Sequence, residues 1–463
     1  MRRRAYDVLI AGARCAGSTL ATFLARAGAR VLLFDKDALP SDYVLSTHGI
    51  SPPGIDVLDE VGVGPAVRAV TPPARIIRMN ADGAMIDIEL PDGRAEYCPR
   101  RERLDALLQQ AAVGAGAELR DRTRVVSLVR EDGRVIGVRA VSGGRETVVT
   151  ADLVVGADGR HSTVAGLVEA QEYLGYDARR AGYWAYWDAP SFWKTDPAYR
   201  CDMYFSHLAG ETGVIFPTDH DQLLIGSWPP ADRAAAWRAD PDGALQATLA
   251  SEPLIGPLIR DARPVGKVRG TVKERFFFRT GVGAGWALVG DAGHHKDFVI
   301  GDGITEALLQ ARSLAKAVIA GSDAALYRWW RARDVAALPW YFVGHEVGAP
   351  GPLPELHRLL FSQLDTLPAL KARLIETIDR RRSPLELIPA LQLLWWALVS
   401  ALRGRPQITA ELLAAAGRAA ATYRELRTRR KLLAEAETKY RAEAGLAERG
   451  LDSGHGASQR ATP

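Results

Sequence analysis

Apolar positions along this chain follow two rhythms. Val8, Leu9, Ile10 and Ala11 form a short unbroken apolar run, the pattern of a strand buried on both faces. Residues 18–27 are alanine-rich and read as a helix that Gly28 ends. Val31, Leu32, Leu33 and Phe34 form a second buried strand, closed by Asp35. Strand-like runs separated by turn residues follow at 76–79, 85–90, 125–128, 135–140 and 146–153, with an amphipathic helix at 101–114. Residues 182–229 again read as strands, now rich in aromatics such as Tyr183, Trp184, Tyr186, Trp187, Tyr204, Phe205 and Phe216. A helix is expected at 305–319. From about Tyr327 to Glu448 the rhythm is helical, with one or two amphipathic helices over 410–444. The last residues, 449–463, are small and polar and are expected to be disordered.

The longest uncharged stretch, 387–402, falls short of the roughly 20 apolar residues that a membrane span needs. It is expected to be a core helix packed on the first α/β domain. A lid over an apolar tunnel and a surface contact with a membrane or partner are the other readings. Trp184 and Trp187 are expected to pack a sheet face, with substrate stacking as the alternative.

Composition narrows the classes. The 463 residues suit about two to four domains. The 59 basic and 55 acidic residues are scattered, and no like-charge block suggests a nucleic-acid groove. Cys15, Cys98 and Cys201 are far apart and build neither a disulfide framework nor a metal site. No export signal is read after Met1, so the cytoplasm is the expected compartment.

Candidate chemistry begins after the first strand, at Gly12-Ala13-Arg14-Cys15-Ala16-Gly17. Gly12 permits a tight turn out of the strand, and Gly17 lets the helix pack closely on the sheet. The helix start offers free N–H groups and a positive dipole end to a pyrophosphate. Asp35, 23 residues after Gly12, suits a ribose hydroxyl. Ala16 in the turn and Lys36 beside Asp35 complete the expected contacts. Arg14 stands where this fingerprint has its middle glycine.

Three later segments agree: Gly156-Ala157-Asp158-Gly159, Gly290-Asp291-Ala292-Gly293-His294, and Gly301-Asp302-Gly303-Ile304 opening a helix. Together these motifs resemble the class A flavoprotein monooxygenases, the para-hydroxybenzoate hydroxylase-like enzymes, over about residues 5–325. The resemblance implies an α/β fold: a Rossmann-like, glutathione-reductase-like FAD-binding domain with an interleaved, mostly β substrate domain and a helical C-terminal region. The expected division is 1–75, 97–180 and 266–326 for FAD, 76–96 and 181–265 for substrate, and 327–448 for the helices. In this resemblance Asp291 holds the ribityl chain, Arg101 lies near the phosphates or ribityl, and Asp158 serves FAD and pyridine nucleotide. Gly290, Gly301, Gly303 and Ile304 place a helix N-terminus toward the flavin.

The implied activity is NAD(P)H- and O2-dependent hydroxylation or epoxidation of an aromatic or apolar small molecule through a C4a-hydroperoxyflavin. A separate flavin reductase is a second source of electrons. A flavin-dependent reductase or desaturase of an apolar chain, of the geranylgeranyl reductase kind, is the alternative, with a halogenase behind it. Candidate catalytic residues are His48, His295, Lys296, Asp297 and Phe298. Three positions depart from the family pattern: Phe298 replaces a proline beside the reacting edge, Thr305 an asparagine, and Ala165 an arginine.

Overall fold

The computed structural model describes residues 4–41, 46–364 and 366–443. The segment 449–463, expected to be disordered, lies outside the described residues. Short apolar runs and the glycines between them produce an eight-stranded sheet. Its spine runs Val282–Gly283, Trp286–Leu288, Arg145–Gly156, Tyr6–Ala11, Val31–Phe34, Glu118–Arg120. Tyr6–Ala11 lies parallel to both of its neighbours, with Ala11 opposite Phe34 on one side and Gly156 on the other. The hairpin Arg124–Glu131 and Arg134–Ser142 joins through the long Arg145–Gly156 strand. Leu9, Ile10, Leu32, Leu33, Val154 and Val155 are all buried, as a doubly covered parallel sheet requires. The helices Cys15–Arg26 and Gly303–Ile319 pack on it, with Leu20, Leu24, Ala311 and Leu314 in one cluster.

A seven-stranded sheet combines Ile76–Ala81 and Ala84–Glu89 with strands that begin only at Gly182. Ile76–Ala81 runs parallel to Met203–Leu208, which ties the two stretches together. Pro264–Thr271 is the edge strand of this sheet, so the sheet extends past residue 265. Alternation sends Trp184 and Tyr186 to one face, Tyr183, Ala185 and Trp187 to the other, and both faces are covered. Trp184 and Trp187 therefore belong to different cores. A small sheet of Glu172–Asp177, Arg275–Arg279 and His294–His295 has no counterpart in the sequence reading.

The C-terminal part is helical. Its elements include Asp323–Val347, Glu355–Leu364, Pro368–Ile378, Ala390–Leu402 and a single long Pro406–Glu443 where one or two helices were expected. These helices cover the Trp184/Tyr186 face: Leu356, Leu364, Leu370, Trp396, Ile408 and Leu412 share a core with Ile77, Met203, Phe216 and Trp228. The stretch 387–402 thus packs on the seven-stranded sheet and not on the first α/β layer. Only part of it is buried, Trp396 and Ser400 inward and Leu391, Leu394, Trp395, Leu398 and Leu402 outward. Among the described residues no helix is long and apolar enough to cross a membrane.

Candidate functional site: a dinucleotide cradle beside a buried aromatic layer

The turn after the first strand is shaped by contacts that only glycine permits. Gly12 has φ +101°, and a Cβ there would stand 2.4 Å from the Ala157 carbonyl oxygen. A Cβ on Gly17 would fall 1.8 Å from the Gly12 carbonyl oxygen. The helix Cys15–Arg26 that follows has no side-chain N-cap and no acidic residue in its first turn. Its free N–H groups and dipole end therefore suit an anion. Ala16 is buried in that first turn.

Asp35 ends the second strand and is buried. Its carboxylate accepts the Ala13 N–H at 3.0 Å and the Asp37 N–H at 3.0 Å, so it braces the glycine turn from the neighbouring strand. Arg14 donates to Asp37 at 2.9 Å and to Ser41 at 3.0 Å, which holds its guanidinium toward the loop after the second strand. Lys36 is exposed beside them.

The second motif, Gly290–Ala292, is a 3-10 turn, and Gly290 takes φ +61°. A Gly290 Cβ would lie 3.1 Å from the Ala16 Cβ, so this turn sits against the start of the first helix. Its N–H donates to Gln310 at 3.0 Å. Arg101 is clamped by both Asp105 oxygens at 3.1 Å and feels the charge of Asp291, and among the described residues its buried Nε has no hydrogen-bond partner. Asp158 is used locally: it accepts from the Ser162 hydroxyl at 2.5 Å and the Thr163 and Val164 N–H groups at 2.7 and 3.2 Å. Burial raises its pKa.

The third motif opens the helix Gly303–Ile319. Gly301 is left-handed at φ +70° with open space around the Cβ position, and Ile304 is buried. Thr305 takes part in a compact knot: it accepts the Ser51 N–H at 3.0 Å, and the Ser51 hydroxyl lies 3.0 Å from both Thr305 and Asp302. The departure at 305 therefore has a structural role, fastening the 46–51 segment to the helix start.

That segment delivers His48. The residue is buried, at φ +69°, a conformation uncommon for a non-glycine and often kept where function needs it. His48 Nε2 and Tyr186 Oη share a 2.5 Å hydrogen bond, while Nδ1 has no partner among the described residues. Arg100 stacks over the Tyr186 ring at 3.9 Å and is itself paired with Asp219 at 3.1 Å. Burial, reinforced by Arg101, Arg100 and Arg269, pushes the imidazole down to about 3, so it is neutral.

Beside it lies a buried charge cluster. Lys296 contacts Asp302 at 3.4 Å and Glu306 at 3.2 Å. Arg380, from the end of Pro368–Ile378, pairs with Asp302, approaches Glu306 at 3.4 Å and stacks on Trp340 at 3.9 Å. Burial, together with the Arg380 charge, pushes Lys296 down to about 8. Arg380→Ala would leave two largely buried carboxylates with one lysine. The expected loss is about 3–5 kcal/mol, read as a lower urea midpoint; an unchanged midpoint would show that the cluster is solvated.

The remaining candidates are placed differently. Asp297 accepts from Tyr176 at 3.2 Å and from the Val299 N–H at 3.1 Å, and burial pushes it up to about 6. Phe298 stands edge-on to Trp228 and Phe276, with centroids 6.2 and 5.7 Å away. His295 shares a 3.0 Å hydrogen bond with the Arg275 carbonyl oxygen on the small sheet and packs on Phe276 and Phe277, so its ring serves that sheet. His294 stacks on Phe278 at 4.2 Å, a structural position. The structure thus brings together His48, Lys296 and the glycine motifs. It adds Tyr186, Glu306 and Arg380, which sequence reasoning missed, and pairs Asp302 of the third motif with Lys296 and Arg380. Alternation within 182–188 was the available signal for Tyr186, since it separates that face from the opposite one.

Residues 5–323 match a protein-family model described as "FAD binding domain". The digeranylgeranylglycerophospholipid reductase of Methanosarcina mazei is 27% identical over 406 residues, 84% of this chain and 95% of that protein. The 12-dehydrotetracycline 5-monooxygenase/anhydrotetracycline 6-monooxygenase of Streptomyces rimosus is 34% identical over 166 residues, 35% of this chain and 32% of that protein. The flavin-dependent brominase Bmp2 shares the fold, with TM-score 0.71 at 18% identity over 86% of this chain and 99% of that one.

Proposed function

Because this chain belongs to the FAD binding domain family, and is accordingly an FAD-dependent oxidoreductase, we propose that it reduces a carbon–carbon double bond of an elongated apolar molecule. The observation that carries this reading is the apolar layer between the seven-stranded sheet and the C-terminal helices, which contains Tyr186 and Trp228 and packs against Phe298. The near full-length relation to a reductase of an isoprenoid lipid supports it.

The residues present fit FAD. The two glycine turns and the uncapped first helix would take the pyrophosphate, Asp35 the adenosine ribose, Asp291 and Arg101 the ribityl side, and the Gly303–Ile319 N-terminus the ring. Arg101 Nε, buried without a hydrogen-bond partner among the described residues, is an atom such a ligand would satisfy. When bound, FAD supplies the two-electron redox chemistry, with NAD(P)H or a separate flavin reductase as its electron source.

The chain's own groups do the rest. The apolar layer orients the substrate and excludes water. Tyr186 Oη provides the proton that completes the reduction, and neutral His48 holds that oxygen in place through Nε2. Lys296 and Arg380 balance Asp302 and Glu306 at the helix start, so the dipole end there is not overwhelmed by negative charge.

Oxygen-dependent hydroxylation is the second reading, favoured by the 34% match to the tetracycline monooxygenase. Product analysis after turnover without oxygen separates the two. The reductase reading expects substrate that has gained two hydrogens under nitrogen. Turnover that requires oxygen and yields an oxygenated product would overturn it.

A further inference from the structure

The helix Ala390–Leu402 has an outer face that no described residue covers. Leu391, Leu394, Trp395, Leu398 and Leu402 follow a single helical stripe, and each is more than half exposed, from 54% to 80%. A soluble surface rarely carries so many large apolar side chains together. The following helix, Pro406–Glu443, returns alongside, with the Thr409 hydroxyl donating to the Ala397 carbonyl at 3.5 Å, and it adds exposed Leu413. In the turn between the helices stand Arg403 and Arg405. Both are exposed, and neither has an acidic partner among the described residues.

We propose that this face docks on an anionic phospholipid bilayer, with the stripe in the acyl boundary and Arg403 and Arg405 at the phosphates. Three observations select that occupant. The stripe is uncharged for its whole length and ends in two unpaired cations, the arrangement that matches an anionic headgroup layer. Trp395 supplies an amphipathic ring of the kind enriched at membrane interfaces. The 13-residue helix is about 20 Å long, too short for a hydrocarbon core of about 30 Å, so it lies in the surface and does not cross.

The opposite side of the same helix gives the docking a purpose. Trp396, with Leu393 and Ala397, faces the apolar layer that contains Trp228 and Phe298. One helix therefore separates the proposed bilayer contact from the proposed substrate layer. The docking goes beyond the reaction proposed above and rests on none of it.

Flotation of the full-length holoenzyme with vesicles tests the docking directly. The protein is expected to float with phosphatidylcholine/phosphatidylglycerol vesicles and much less with phosphatidylcholine alone. The variant L391S/L394S/L398S is expected to lose about tenfold or more of the bound fraction while keeping its flavin absorbance and circular dichroism. R403E/R405E is expected to lose the preference for phosphatidylglycerol. A wild-type protein that stays with the vesicle-free fraction, or a triple variant that floats as well as the wild type, would overturn the proposal. So would a wild-type dimer that the triple variant breaks while neither floats, which would assign the face to a second copy. Binding is read without turnover, so a protein that floats but reduces nothing contradicts only the reductase reading.

Discussion

Gly12→Ala is expected to yield protein without FAD, because the new methyl group meets the backbone of the neighbouring motif. The added Cβ would stand 2.4 Å from the Ala157 carbonyl oxygen, 2.6 Å from its carbon and 2.9 Å from the Asp158 Cα. None of these atoms is the end of a flexible side chain. Either the 156–159 segment moves away from the first strand or the turn after that strand is remodelled, and both destroy the shape offered to a pyrophosphate. Gly28→Ala is the control. Gly28 also has a left-handed φ, +87°, but nothing lies within 4 Å of its Cβ position. It is expected to cost only the backbone strain, about 1–2 kcal/mol, and to stay yellow. Flavin absorbance per mole of purified protein reads both. A Gly12→Ala protein with wild-type flavin content would mean that the cradle is not where the glycine turn places it.

Tyr186→Phe is expected to lower turnover by about 10²–10³-fold while leaving FAD content and flavin reduction by the electron donor unchanged. The substitution keeps the ring beneath Arg100 and in the sheet core, and removes only the hydroxyl shared with His48. His48→Gln should retain part of the rate, since an amide can still hold the tyrosine oxygen. The pH dependence has a definite sign. Burial and three nearby arginines hold His48 at about 3, so it stays neutral at every pH above that value. The wild-type rate should therefore show no acid limb near 6.5, the value of an unperturbed histidine. A limb there that disappears in His48→Gln would assign His48 a charged role and contradict the proposed arrangement.

The first unit was legible because its signals are local. Strand, glycine turn, helix, strand and Asp35 lie within one short stretch, and each residue's role follows from its immediate neighbours. The interleaving of 76–89 with the later strands was expected from the family resemblance and from no local pattern, since alternation does not say which distant strand is the partner. Where the second sheet ends was not, because Pro264–Thr271 has mostly exposed or half-buried positions and little apolar rhythm. The small sheet was invisible for a related reason: its strands are five, six and two residues long and meet only through distant parts of the chain.

The site was legible in its glycines and illegible in its pairings. His48 and Tyr186 are 138 residues apart, and Arg380 reaches Asp302 from 78 residues away. No spacing rule connects such pairs; the fold does. Residues 387–402 illustrate a different limit. A helix apolar on all sides does not say which side is inside, and here the packing chose Trp396 and left Trp395 out.

Acid-released flavin, quantified against protein concentration, tests the cradle most directly. One FAD per chain in the purified protein, or after incubation with excess FAD, is the predicted result. Protein that remains folded and colourless in excess FAD would contradict the account at its base.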